Sequence, residues 1–302
     1  MSITKSKRYS VRKSRLKRPT IGDWVIVIIM VLLIISCILP VLTVVARSFS
    51  DAGAIMRREV VFLPVGFHTG AYGDILGDAR FMRSMGWTAI ITFVAVVVNL
   101  AMTILCAYPL TYESLKGRKI LSVLIIFTMY FGAGLIPTFI LFRSLGLINN
   151  PAVLILPGMI SVFNMIIMRN FFTGIPESLK ESAEMDGAGP LYCLVKIYLP
   201  LSTPVLATLG LFYAIGRWNG FMDALFFLPG AREYHPIQLL LYNIINNIVA
   251  VDTMDPGAAA APGWGQAVEA AAIVVAMVPI LCVYPFAQKY FVKGATLGAI
   301  KG

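Results

Sequence analysis

From Trp24 to Ala46 the chain runs without a single charged side chain, and five further long apolar runs follow at about 87–110, 120–142, 151–170, 203–225 and 268–290. A hydrocarbon core roughly 30 Å thick is crossed by about 20 residues of helix, the segment that satisfies its own backbone polar groups where there is no water. Six such runs predict an all-α integral membrane protein with six transmembrane helices. The totals agree: 58% of the 302 residues are hydrophobic, 13% are charged and the mean hydropathy is +0.82, whereas soluble domains are about half apolar and about a quarter charged. The first run is longer than the roughly 7–15 apolar residues of a signal peptide and reads as a retained helix.

The net charge of +10 does not point to nucleic acid, because eight of the 25 basic residues (Lys5, Lys7, Arg8, Arg12, Lys13, Arg15, Lys17 and Arg18) crowd the first 18 positions. Residues 1–20 read as a basic cytoplasmic tail against anionic lipid, and 21–302 as a single membrane domain. Lys116, Arg118 and Lys119, then Arg169, Lys180 and Lys196, then Lys289, Lys293 and Lys301 mark further cytoplasmic segments, so both termini are expected inside. The connection after the first run is an exception, with Arg47, Arg57, Arg58, Arg80 and Arg83 on the outer side. Cys37, Cys106, Cys193 and Cys282 show no metal-ligand spacing and His68 and His235 stand alone, so no metal site is predicted. No Ser/His or HExxH-like constellation lies in the helices, and no catalytic residue is predicted.

Between the fourth and fifth runs the character changes. Glu181-Ser182-Ala183-Glu184-Met185-Asp186-Gly187-Ala188-Gly189-Pro190, continuing as LYCLVKIYLP to Pro200, carries charge, two glycines and two prolines. Pro176 suits a helix start, Glu177 to Met185 are good helix formers, Gly187 and Gly189 can end that helix at positive φ, and Pro190 can open a second. Two readings are open from these signals: an L-shaped pair of short helices outside the membrane, or a connecting loop.

The pattern Glu181-Ser182-Ala183, three residues, Gly187, nine residues, Ile197, one residue, Leu199-Pro200 resembles the EAA loop of binding-protein-dependent ABC importer permeases, with Ser for the usual second Ala. The resemblance implies the type I ABC importer (MetI/MalG-like) permease fold, with residues 177–200 as a cytoplasmic coupling helix. It implies that Glu181, Ala183, Asp186 and Gly187 meet an ATP-hydrolysing subunit, while Ile197, Leu199 and Pro200 tie the loop to the membrane core. The chain has no GxxxxGK[S/T] phosphate loop, so ATP is expected to be bound by two copies of that partner and no cofactor by this chain.

Gly216-Arg217-Trp218-Asn219-Gly220-Phe221 followed by Asp223-Ala224-Leu225 resembles the Trp-Asn element of MalG-type sugar permeases. The ending Gln288-Lys289-Tyr290-Phe291-Val292-Lys293-Gly294, with Gly298-Ala299-Ile300-Lys301-Gly302, is similar to the tail of the same group, and the LplC/YtcP-like branch fits best. Trp87, at the expected start of the second helix, departs from the small or polar residue of that pattern. The resemblance implies a bacterial inner-membrane subunit that pairs with a second, homologous permease. It further implies an external sugar-binding protein, a carbohydrate substrate such as an oligosaccharide or polysaccharide fragment, and an outer loop at Asp252 to Gly263 that reaches the binding protein's sugar site.

Trp218 and Asn219 are candidates for the translocation path, an aromatic platform beside an amide suiting a sugar ring; Trp218 as an interfacial anchor is the other reading. Arg217 and Asp223, six apart and so on different helix faces, and Glu269 read either as functional charges or as residues snorkelling to the outer interface. The alternative function is an ion-coupled secondary transporter, which calls for paired broken helices and buried acids near midspan.

Overall fold

The computed structural model describes residues 20–246 and 263–299. The basic tail, the segment 247–262 with most of the expected outer loop, and residues 300–302 lie outside it, as do the side chains of the Gln288–Gly294 ending.

In chain order the helices are α1 (Ile21–Ser48), α2 (Ala52–Met56), α3 (Gly70–Gly77), α4 (Ala79–Ala107), α5 (Arg118–Tyr130), α6 (Leu135–Ser144), α7 (Val162–Thr173), α8 (Glu177–Met185), α9 (Pro190–Leu201), α10 (Thr203–Asn219), α11 (Met222–Phe227), α12 (Ile237–Ile245) and α13 (Trp264–Ala299). Among the described residues there is no strand. Three helices, α1, α4 and α13, are long and apolar enough to cross a membrane. Up to six crossings result if three bent pairs each count as one: α5 with α6 at 114°, the 3₁₀ segment Pro151–Gly158 with α7 at 47°, and α9 with α10 at 82°.

Local chemistry explains where these elements depart from the apolar runs. Thr20 and Asp23 form a capping box, Thr20 N–H donating to the Asp23 carboxylate at 2.7 Å, which starts α1 ahead of Trp24. Asp78 caps α4 by accepting from the N–H groups of Arg80 (2.7 Å) and Phe81 (3.1 Å), so this helix begins eight residues before the apolar run at 87. Trp87 therefore lies inside the helix, its ring 5.2 Å from that of Tyr234, and not at its start. The run 120–142 is not one helix, because α5 ends at Tyr130 and Gly134, at φ 87°, turns the chain into α6. Pro151 and Pro157 make 3₁₀ turns and Ser161 caps a fresh start, so the run 151–170 is helical in two pieces. The run 203–225 breaks at Gly220, whose extended ψ of 127° ends α10.

Helix α4 packs along α10, and α1 and α10 both pack along α13. Two apolar clusters sit at opposite ends of α4 and α10. One gathers Phe81, Trp218, Ile237 and Trp264 with the small residues Ala267, Ala271 and Ala272 of α13. The other gathers Ala107, Tyr108, Met168, Phe172, Tyr198 and Leu209. Fully burying side chains of this size stabilises by about 1.5–3 kcal/mol each on a water reference. In a bilayer the equivalent gain comes from close packing, which the alanines of α13 permit.

Polar side chains join the helices between the clusters. Tyr213 of α10 is 7% exposed; its hydroxyl bonds to the Thr103 hydroxyl at 2.7 Å and accepts from Ser161 N–H at 3.3 Å, linking α10 to α4 and to the start of α7. Tyr213→Phe leaves that amide and hydroxyl without their partner, and is expected to lower stability by about 1–2 kcal/mol. Thermal unfolding of the detergent-solubilised variant, read against wild type, checks this.

Candidate functional site

The polar stretch folds as two arms. Helix α8 ends in a Schellman motif: Ala188 N–H donates to the Ala183 carbonyl at 2.9 Å, and Gly187 N–H to the Glu184 carbonyl at 3.0 Å. That closure requires a left-handed residue, and Gly187 supplies it at φ 82°. Gly189 is different from expectation. It is extended, at φ −75° and ψ 165°, and serves as the cap residue in front of Pro190. The connecting-loop reading is thus replaced by an elbow of two helices.

The elbow is fastened to its surroundings. Tyr108, at the end of α4, donates its hydroxyl to the Pro190 carbonyl at 2.9 Å and bonds to the Tyr112 hydroxyl at 2.6 Å. The rings of Tyr108, Phe172 and Tyr198 meet edge to face at 5.1–6.1 Å, so α4, α7 and α9 share one aromatic joint. Lys180 places its ammonium 4.0 Å from the centre of the Tyr112 ring and 3.8 Å from the Glu184 carboxylate. Ile197 and Leu199 pack against the same apolar cluster, whereas Pro200 is exposed. Pro200 has no N–H and its ring crowds the carbonyl four residues back. Just upstream α9 widens into a π turn over Leu194–Tyr198, with Leu199 N–H reaching back to the Leu194 carbonyl.

The outward side of the elbow is open. Glu181 and Asp186 are exposed, Ala183 is half-buried, and a cleft of about 640 Å³ between the arms is lined by Ala183, Asp186, Gly187, Tyr192, Lys196 and Ile197. Met185 is 88% exposed and Leu191 72% exposed. Together with the exposed Leu179, Tyr192 and Val195 they give the elbow an apolar patch among its charges, which is what a docking surface presents. Their signal in the sequence is the placing of Met185 and Leu191 on either side of the glycines. Loss of the Tyr108 hydroxyl removes its hydrogen bond to the Pro190 carbonyl and leaves the ring contact with Tyr198 in place. Tyr108→Phe is expected to reduce coupled transport a few-fold, in line with about 1 kcal/mol per hydrogen bond, with insertion in the membrane unchanged. Uptake normalised to the amount of chain in the membrane measures it.

At the other end of α10 the picture differs from expectation. Trp218 is 8% exposed, packed in the apolar cluster, and its indole N–H donates to the Ala276 carbonyl of α13 at 3.3 Å. It is buried in this conformation and also lines a cleft of about 410 Å³ with Thr92, Phe93 and Pro279. Asn219 beside it is exposed. Arg217 and Asp223 do not lie apart: α10 ends at Gly220, and the two side chains meet at 3.3 Å across that break. Arg217 also donates to the carbonyls of Leu154 at 2.6 Å and Gly220 at 3.2 Å. Glu269 lines a second cleft of about 840 Å³ together with Arg47, Arg58 and Gln266.

A helical bundle of bent spans with a fastened, exposed elbow defines a membrane subunit of a transporter, and residues 99–296 match the family described as "Binding-protein-dependent transport system inner membrane component". The chain belongs to that family and has the type I ABC importer permease fold. It is 40% identical to the polygalacturonan/rhamnogalacturonan transport system permease protein YtcP of Bacillus subtilis (strain 168), over 88% of this chain and 93% of that protein. It is 42% identical to LplC of the same organism, over 88% of this chain and 90% of that protein. Among solved structures, a bacterial ABC transporter involved in the import of the acidic polysaccharide alginate superposes with a TM-score of 0.83 at 34% identity, covering 91% of this chain and 99% of that chain.

Proposed function

We propose that this chain is one of two homologous permeases in an ATP-driven importer that moves a carbohydrate, an oligosaccharide or polysaccharide fragment, from an external binding protein to the cytoplasm. The observation that carries the reading is the elbow: rigidly joined to α4 and α7 on one side and bare on the other. A rigid lever transmits a rigid-body motion, as a loose loop does not. Glu181, Asp186 and the apolar tip meet the ATPase; Ala183 lets it approach closely; Gly187 sets the angle; Ile197 and Leu199 pass the motion to the bundle. Both termini and the elbow lie in the cytoplasm, as the lysines and arginines flanking α5 and α8 favour. The exposed apolar faces of α1 and α5 are the surfaces left for lipid and for the second permease. Asn219, exposed next to the buried Trp218, stays on the substrate side of the fifth crossing.

The ion-coupled alternative calls for a buried acid near midspan. Among the described residues the buried carboxylate is Asp78, which caps α4 at its end. Proteoliposomes holding the assembled importer separate the two readings. With ATP inside and all ion gradients collapsed, uptake of saccharide offered on its binding protein is expected to continue and to stop without ATP. Uptake that follows an ion gradient and ignores ATP would refute the importer reading.

A further inference from the structure

The arginines that break the charge rule in the outer connection have a place in the fold. Arg80 and Arg83 from the start of α4 line a cleft of about 390 Å³ with Arg232, His235 and Asn243 from the segment around α12. These residues lie about 150 positions apart in the chain, and Thr88 holds the two parts together by accepting from Ile237 N–H at 2.7 Å. We propose that this cleft binds the carboxylate groups of a uronate-bearing saccharide on its way into the pathway, which makes it a specificity site for acidic chains.

Three observations carry the proposal. The first is charge: no acid lines the cleft, Glu233 beside Arg232 being exposed outside its lining, and Asp78 is already engaged by the backbone of α4 and by Arg80 at 3.4 Å. Among the described residues Arg83 and Arg232 are in no ion pair, and both are exposed. Concave sites lined by one sign of charge concentrate the field and raise the local level of oppositely charged ligand. Guanidinium groups match a carboxylate with two parallel hydrogen bonds. The second is shape: the wall includes Leu225, Pro229 and Leu239, so an apolar surface lies beside the basic groups, as a sugar ring with one apolar face requires. The volume falls in the range of about 300–1,000 Å³ of small-molecule sites. The third is location: the cleft lies at the end of α4 and α10 away from the elbow, because Phe81 and Trp218 share a cluster there. Given the orientation proposed above, that is the entry side. This inference deepens the carbohydrate reading and rests on it.

The test uses the whole importer in lipid nanodiscs without its binding protein, and equilibrium dialysis of radiolabelled trigalacturonate and trimannuronate, with galactotriose as the neutral counterpart. Wild type is expected to bind at least one uronate trisaccharide saturably, more weakly at high salt, and galactotriose at least tenfold more weakly. The double variant Arg83→Gln, Arg232→Gln is expected to lose tenfold or more in uronate affinity, and Arg83→Lys, Arg232→Lys to keep most of it. No saturable uronate binding by wild type, equal binding of galactotriose, or unchanged binding by the glutamine variant overturns the proposal. So does a glutamine variant that keeps uronate binding and instead fails to capture the binding protein, which would assign the cleft to acidic side chains of that protein. ATP-driven uptake of galactotriose on its own would leave the carbohydrate reading standing while the acidic specificity fails.

Discussion

Gly187→Val is expected to reduce ATP-driven uptake about tenfold or more while leaving the chain in the membrane. The residue sits at φ 82°, where the Schellman closure of α8 needs it, and nothing lies within 4 Å of a Cβ built there. Crowding is therefore not the cause of the loss; backbone strain is. A left-handed residue other than glycine costs about 1–2 kcal/mol, and a β-branched one more. The strain is relieved if α8 frays or swings, and about 1.4 kcal/mol already corresponds to tenfold in the equilibrium constant between the native and the displaced elbow. Gly187→Asn, which tolerates the left-handed region better, is expected to lose much less. Uptake per amount of membrane-inserted chain for the two variants measures the effect, and equal activity of Val and wild type would remove the elbow angle from the account.

The second large effect is on stability. Arg217→Met removes a side chain that is 10% exposed and that ties the end of α10 to the Leu154 carbonyl, the Gly220 carbonyl and Asp223. Two carbonyls lose a charged donor, worth about 1.5–3 kcal/mol for each such bond in a dry setting. The Asp223 partner is half-exposed, so the ion pair itself adds little. A total loss of about 3–6 kcal/mol is expected. Asp223→Asn is expected to cost less than about 1 kcal/mol, since only the solvated partner changes. Thermal unfolding in detergent distinguishes the two, and an Arg217→Met variant as stable as Asp223→Asn would show that the carbonyl bonds contribute nothing.

The membrane class was legible because apolar runs are local; the elbow's turn signals are local too, but alone they left a connecting loop open, and the resemblance to the EAA loop pointed to the elbow. Runs of apolar residues are read directly, and Glu181 to Pro200 carries its turn chemistry in Gly187 and Pro190. What was not legible depends on residues distant in sequence or on caps at the margins of the runs. Asp78 moves the start of α4 because a cap decides a helix end, while hydropathy registers only the lipid-facing middle. Trp218 reads as an interfacial aromatic; only the arrival of Ala276 from α13 buries it and takes its N–H. Arg217 and Asp223 read as lying on somewhat different faces of a continuous helix and meet because Gly220 breaks it. Helix α12 is too short to register as a crossing, yet Ile237 and Leu239 are almost fully buried beneath Thr88 and Phe227.

We propose that the elbow at 177–200 is the mechanical link to a separate ATPase. Co-purification of that ATPase with this chain from solubilised membranes, comparing wild type with Glu181→Lys, tests it most directly. Glu181 is exposed and among the described residues is in no ion pair, so its reversal is expected to change the docking surface and not the fold. Wild type is expected to retain the ATPase and Glu181→Lys to lose most of it at unchanged thermal stability. Equal retention of the ATPase, together with equal uptake, would contradict the assignment of this surface to the motor.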